Sequence, residues 1–168
     1  SVMPRLELDE VLLNAAITGT LGGLEMTGIT PNPVGATRFF SATRPIAVIV
    51  GLVGKANGSV TINLSERGML YLAGGLLGEV PDAPDEMVFD GVMEIGNIIA
   101  GGIKAALAGT DYQIENISVP SLVLGASYDV YYTRGISMVS VQFELERIPI
   151  EHHKDRFFST TISLLQLT

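Results

Sequence analysis

The sequence predicts an α/β fold of the α+β type, with a mostly antiparallel sheet and three main helices packed on it. Three observations carry this. Two β-rich runs flank the dipeptide Asn57-Gly58, a strong short-range hairpin signal. Strict alternation runs through "GISMVSVQFELERI" (135–148). Three segments place apolar residues at helical spacing, and they do not alternate with strands as βαβ repeats would. At 168 residues, with no linker and no low-complexity tract, residues 1–168 read as one domain.

Taken in order, "LELDEVLLNAAITGTL" sets Leu8, Val11, Leu12, Ala15 and Ala16 on one helical side, and Gly22-Gly23 supply a stop signal. Residues 28–45 hold three prolines and read as a loop or irregular extended segment. "IAVIVGLVGKANGSVTINL" is the hairpin. Ser65 is the expected N-cap of a second helix through "MLYLAGGLL", and Asp85 that of a third, after "PDAPDE". Beyond Gly109 come strands: "YQIENISV" up to Pro120, the alternating segment, and "RFFSTTISLLQLT". In the alternating segment Val139, Val141, Phe143 and Leu145 fall on the buried parity. Ile136, Met138, Ser140, Gln142, Glu144 and Glu146 fall on the other.

Composition narrows the function. The chain is 47% hydrophobic and 17% charged, a globular balance, and it has no cysteine. Disulfides, thiolate metal sites and a cysteine nucleophile are therefore excluded. A net charge of −8 with no basic run argues against nucleic acid as a partner. Mean hydropathy is high, at +0.39, yet no stretch has the ~18 uninterrupted apolar residues of a membrane span. The start, "SVMPRLELDE", lacks the order of a signal peptide. These features predict a soluble, cytoplasmic protein without membrane insertion, with an apolar interior, an apolar interface, or both.

The third helix contains "MEIGNIIAGGIKAAL" (93–107). Wound at about 100° per residue, Val88, Val92, Ile95, Ile99, Ile103 and Ala106 gather on one side. Asp90, Glu94, Asn97, Gly101 and Lys104 gather opposite, in a ribbon about 80° wide. A solvated face would account for such a stripe. A merely solvated face is better served by Ala, Glu or Lys than by Asn and Gly, since Gly costs about 1 kcal/mol against Ala. Gly101 on the ribbon leaves room for another surface to approach. Gly91, Gly96 and Gly102 lie off it and predict close packing inside the protein.

"E-x-x-N-I-I-A-G-G" in this position is similar to the signature of the CheC/CheX/FliY phosphatases of bacterial chemotaxis, and resembles the single-motif CheX branch most. Glu94 and Asn97 match the family's acidic and amide positions, and Gly101 a glycine that follows. "ISVPSLVLG" (117–125) resembles the family's strand-proline-glycine segment, and the order of elements agrees over nearly all of the chain. E-x-x-N alone is a weak signal; the longer motif in this order of elements is more specific. Two departures stand out. CheC-type proteins carry a second motif in the first helix, but here Glu10 and Asn14 are four apart and Val11 stands three before Asn14, so the first site is read as absent. The segment around 125–156, with Tyr128, Tyr131, Tyr132 and "HHKDR", has no counterpart.

The resemblance implies a CheC/CheX-like fold and hydrolysis of the aspartyl phosphate on a CheY-type receiver. Asn97 would orient a water in line with phosphorus. Glu94 would pair with the receiver's active-site lysine. The chain itself would bind no cofactor and no metal, the Mg²⁺ being held by the receiver. Asp90, Gly101 and Lys104 would be partner contacts at the rim, and a homodimer joined across strand edges is expected. The alternative is a non-catalytic CheC-like or motor-switch-like module that docks a receiver or another signalling protein. A small-ligand binder on the same scaffold is the third reading.

Other features read plainly. "GKANGS" (54–59) lacks phosphate-loop spacing and belongs to a turn. His152 and His153 are adjacent, without a chelating motif, and read as loop residues. Ser159, Thr160 and Thr161 lack a base partner and read as strand. The tyrosines suit either an interface or a sheet face.

Overall fold

Asp9 begins the first helix. Its Oδ1 accepts a hydrogen bond from the backbone N–H of Leu12 at 3.1 Å and caps α1 (Glu10–Leu24). The computed structural model describes residues 7–40, 42–125 and 133–167. Leu8 therefore lies outside the helix, and Val11 is exposed, although spacing had placed both on its apolar side. Gly22 and Gly23 do not stop α1. It continues into a 3-10 turn (Glu25–Thr27) and ends at Gly28, whose φ of 74° is a left-handed cap. Gly23 serves packing instead: a Cβ there would sit 3.0 Å from the Ile98 carbonyl oxygen.

The segment expected to be irregular contains a strand, β1 (Asn32–Thr37), paired with β6 (Ile136–Glu144). All six of its residues are exposed, so it has none of the alternation that marks a half-buried strand. Its proline, glycine and bulge suit a sheet edge.

The hairpin of β2 (Ile46–Gly54) and β3 (Ala56–Leu64) is present, but its turn is centred on Lys55. Val53 pairs with Asn57 and Leu52 with Gly58, so Asn57-Gly58 lies inside β3. Asn57 Oδ1 accepts from the Gly54 N–H at 3.3 Å, and Gly58 lies against the backbone of Ser163 in β7 (Phe157–Gln166). Cross-sheet packing claims the glycine that local propensity assigns to the turn.

The predicted caps form. Ser65 Oγ accepts from Gly68 N–H at 3.1 Å to open α2 (Glu66–Leu77). Asp85 Oδ1 accepts from Val88 N–H at 2.9 Å to open α3 (Glu86–Ala106). After α3, the strand expected up to Pro120 is the shorter β4 (Ile114–Ile117), and a further strand, β5 (Ser121–Leu124), follows the proline. Both pair with β2. Between them Ser118 Oγ takes the Gly51 N–H at 2.7 Å, replacing ladder bonds at the break.

The seven strands form one antiparallel sheet, β1-β6-β7-β3-β2-β4, with β5 continuing the edge along β2. The three main helices supply the second layer. Val48, Val50, Val60, Ile62, Val139, Val141 and Ile162 share the core with Leu12, Ala16, Leu72, Val92, Ile95 and Ile99. The polar parity of the sheet is not simply exposed. Ser140 is buried because its hydroxyl bonds Thr161 at 2.8 Å, and Asn63 is buried with its amide donating to the Arg44 and Ile46 carbonyls, both at 2.9 Å. His152 and His153 belong to a 3-10 segment (Ile150–Arg156), not a loop, and Ser159, Thr160 and Thr161 are strand residues. Tyr128, Tyr131 and Tyr132 lie outside the described residues.

Candidate functional site

α3 lies across β2 and between α1 and α2, so most of its circumference is buried. Three of its glycines permit this. Gly91 rests on Ala73 of α2, where a Cβ would come to 3.3 Å; Gly96 sits on the Val48 side chain; Gly102 meets Gly19 of α1. Val88, Val92, Ile95, Ile99 and Ile103 are buried as the spacing predicts, and Ala106 is half-buried. The helix ends are electrostatically matched, with Glu86 in the first turn and Lys104 in the last.

What remains accessible is the expected ribbon. Asp90 and Glu94 are exposed; Asn97, Gly101 and Lys104 are half-buried. Glu94 and Asn97 stand one turn apart, and among the described residues neither side chain makes a hydrogen bond or ion pair. Asp90 and Lys104 are equally without an ion pair among the described residues. Gly101 has nothing within 4 Å of a hypothetical Cβ, so no neighbour within the protein requires a glycine there. The ribbon therefore holds an acid, an amide that both donates and accepts, and a bare stretch of backbone, all turned toward solvent.

The clefts lie elsewhere. One of roughly 370 Å³ is lined by Glu7, Asp9, Arg38, Phe39, Ser137 and Met138. One of roughly 200 Å³ lies around Tyr71, Glu146 and Arg147, and one of roughly 260 Å³ around Thr37, Gln142 and Ser159. No α3 residue lines any of these three. None of these three clefts is centred on the ribbon, and this tells against a small-ligand binder there. Among the described residues, no three His, Asp and Glu side chains gather as a metal site would need, and no helix is long and apolar enough to cross a membrane.

Just outside the ribbon stands a residue that the polar pattern passed over. Met87 lies two turns before Glu94 and is exposed. Its spacing from Glu94 was readable, but its apolar character left it out of a stripe defined by polar residues and glycine. Gly22 and Met26, on the exposed side of α1 and its 3-10 extension, carried no local signal, because only the pairing of α1 with α3 brings them alongside.

The family model described as "Chemotaxis phosphatase CheX" matches residues 46–144, which include the whole of α3. Among solved structures, a CheC-like superfamily protein from Shewanella sp. PV-4 is 22% identical, with a TM-score of 0.75 over 94% of this chain and 99% of that one. The chemotaxis protein CheX from Desulfovibrio desulfuricans is 21% identical, with a TM-score of 0.72 over 92% and 99%. The Borrelia burgdorferi CheX–CheY–BeF3–Mg²⁺ complex contains a chain 23% identical, with a TM-score of 0.70 over 95% and 99%. These likenesses establish a shared fold. No curated protein matches the sequence.

Proposed function

The chain belongs to the CheX family of chemotaxis phosphatases, and on that footing we propose that it hydrolyses the aspartyl phosphate of a CheY-type receiver. Asn97 is the residue that acts on the water. Its carboxamide oxygen accepts from the water and its N–H donates toward the phosphoryl oxygens. The water attacks phosphorus in line, the bond from phosphorus to the aspartyl oxygen breaks, and the receiver recovers its carboxylate with release of inorganic phosphate. The receiver's own Mg²⁺ carries the charge that develops, so this chain need supply only position. Glu94 pairs with the receiver's lysine and sets the register that brings Asn97 to the water. Asp90, Gly101 and Lys104 meet the receiver around this pair, and such a partner sets the reaction in the cytoplasm.

The observation that carries the reading is the pair itself: Glu94 and Asn97 one turn apart on the accessible face of α3, with no hydrogen-bond or ion-pair partner among the described residues. The Borrelia burgdorferi complex supports the choice of partner, because the CheX in it is bound to a CheY.

We also propose a homodimer joined through the outer side of β5. That strand pairs only with β2 among the described residues, and Val123 and Leu124 are exposed in it, as is Val119 just before it. An unguarded apolar edge is a template for strand pairing, whereas β1 at the opposite edge carries Pro33 and a bulge.

The test is dephosphorylation of a panel of receiver domains by wild type, Asn97→Ala and Glu94→Ala. Asn97→Ala should keep binding and lose turnover; Glu94→Ala should weaken both. Equal turnover by all three proteins rules the assignment out. Binding without turnover in the wild type leaves the non-catalytic docking module as the reading.

A further inference from the structure

We propose that the docking surface for the receiver continues from α3 onto the end of α1, and that Met26 and Met87 are the contacts that select the receiver. The partner is then a receiver that presents apolar side chains beside its active-site lysine. This rests on the receiver-docking reading above and adds to it the residues that choose among receivers.

The two methionines flank the acidic end of the ribbon. Met87 is two turns before Glu94 and about 20° from it around the helix axis, and it is 64% exposed. Met26 is 85% exposed, in the 3-10 turn that prolongs α1. Its position follows from how α1 and α3 meet. Gly19 touches Ile103 while Gly23 touches Ile98 and Ile99, so the helices run antiparallel. Continued by one turn past Gly23, this register sets Met26 level with the part of α3 that carries Glu94.

Met26 is held there by its neighbours. Thr27 Oγ1 donates to the Leu24 carbonyl at 2.6 Å and accepts from Ile29 N–H at 3.1 Å. A Cβ at Gly75 of α2 would lie 2.8 Å from both Thr27 and Ile29, so α2 closes against this turn. The turn is locked from behind, and it presents Met26 to solvent, with Glu25 exposed beside it. Single exposed apolar residues are ordinary. Two long, adaptable thioethers near one carboxylate are a surface that can mould to a partner.

Toward Asn97 the seam is lean. Gly22, one turn before Met26, and Gly101, one turn beyond Asn97, both have open space where a Cβ would be. Neither is demanded by packing, in contrast to Gly19, Gly23 and Gly102. Together they leave a low surface across the α1–α3 seam, over which a receiver's surface can lie while Glu94 and Asn97 reach its site.

The test compares wild type with Met26→Ser, Met87→Ser and the corresponding Leu variants. One readout is steady-state hydrolysis of a phosphorylated receiver that the wild type turns over. The other is calorimetric binding of the same receiver loaded with beryllofluoride and Mg²⁺. Each Ser variant should raise KM and weaken binding by about tenfold, as loss of an apolar anchor does, with kcat at saturation and melting temperature unchanged. The Leu variants should restore both. Unchanged KM in both Ser variants, or a fall in kcat alone, overturns this proposal and leaves hydrolysis by Asn97 intact. If the wild type neither turns over nor binds any receiver in the panel, the receiver-docking reading fails and this proposal fails with it; binding without turnover removes the phosphatase reading and leaves the calorimetric arm to decide this one.

Discussion

Gly102 of α3 lies against the backbone of Gly19 in α1: a Cβ at Gly102 would stand 3.1 Å from the Gly19 Cα, and one at Gly19 would stand 2.7 Å from the Ile103 nitrogen. The two helices touch backbone to backbone at this crossing. Its neighbour Gly101 has open space. Adjacent glycines thus serve different purposes, and their substitutions should separate. Gly102→Ala should destabilise the fold by about 1–3 kcal/mol through overpacking. Gly101→Ala should stabilise it by about 0.4–1 kcal/mol through the unfolded chain, yet slow turnover of a receiver. Denaturant unfolding of both variants, with turnover of the second, checks this.

Asn97→Asp keeps the size of the side chain and replaces its donor with a carboxylate that faces a phosphoryl group of the same sign. Hydrolysis should fall by about 10²-fold, the scale of losing one aimed donor. Receiver binding and melting temperature are the controls. Turnover equal to wild type would remove the amide from the mechanism.

Glu94 acts through charge in the proposed complex, so its contribution should be screened. Raising ionic strength should increase KM for the wild type and have a smaller effect on Glu94→Gln, with the two curves converging at high salt. Parallel curves would mean that the carboxylate does not meet a cation.

The dimer assigned to the β5 edge predicts a dimeric wild type by light scattering and a monomer for Val123→Lys, since an edge lysine resists strand pairing. A wild type that scatters only as monomer at working concentrations would discard the dimer.

Tyr112 links three parts of the fold away from the ribbon. Its hydroxyl donates to Asp9 Oδ2 at 2.6 Å and lies 3.1 Å from Ser137 Oγ, joining the start of α1 to β6. Burial first, then the bond to Asp9, push the phenol above its usual value. A raised folded-state value means that the contribution to stability is complete below the unfolded phenol's value and is lost as pH rises through the folded one. Tyr112→Phe should therefore cost about 1 kcal/mol near neutral pH. The gap between the two proteins should narrow above about pH 10. Unfolding curves at several pH values read this out, with receiver turnover unchanged.

Several features were legible in the chain alone because their causes are local. The caps at Ser65 and Asp85 depend on a side chain three residues from the N–H that it accepts. The ribbon of Asp90, Glu94, Asn97, Gly101 and Lys104 depends only on the winding of one helix. The alternation in β6 depends on the pleat. Other features required the packed molecule. β1 has no apolar face of its own and is a strand only because β6 offers an edge. The hairpin turn sits at Lys55 rather than Asn57-Gly58 because Gly58 is needed against Ser163. Gly22 and Gly23 read as a helix stop, but Gly23 meets α3 and the chain runs on through both. The two methionines of the proposed docking surface, Met26 and Met87, are 61 positions apart in the sequence. Periodicity within a helix records which residues share a face; which faces meet depends on backbone approach between distant elements, and that is set only when the helices pack.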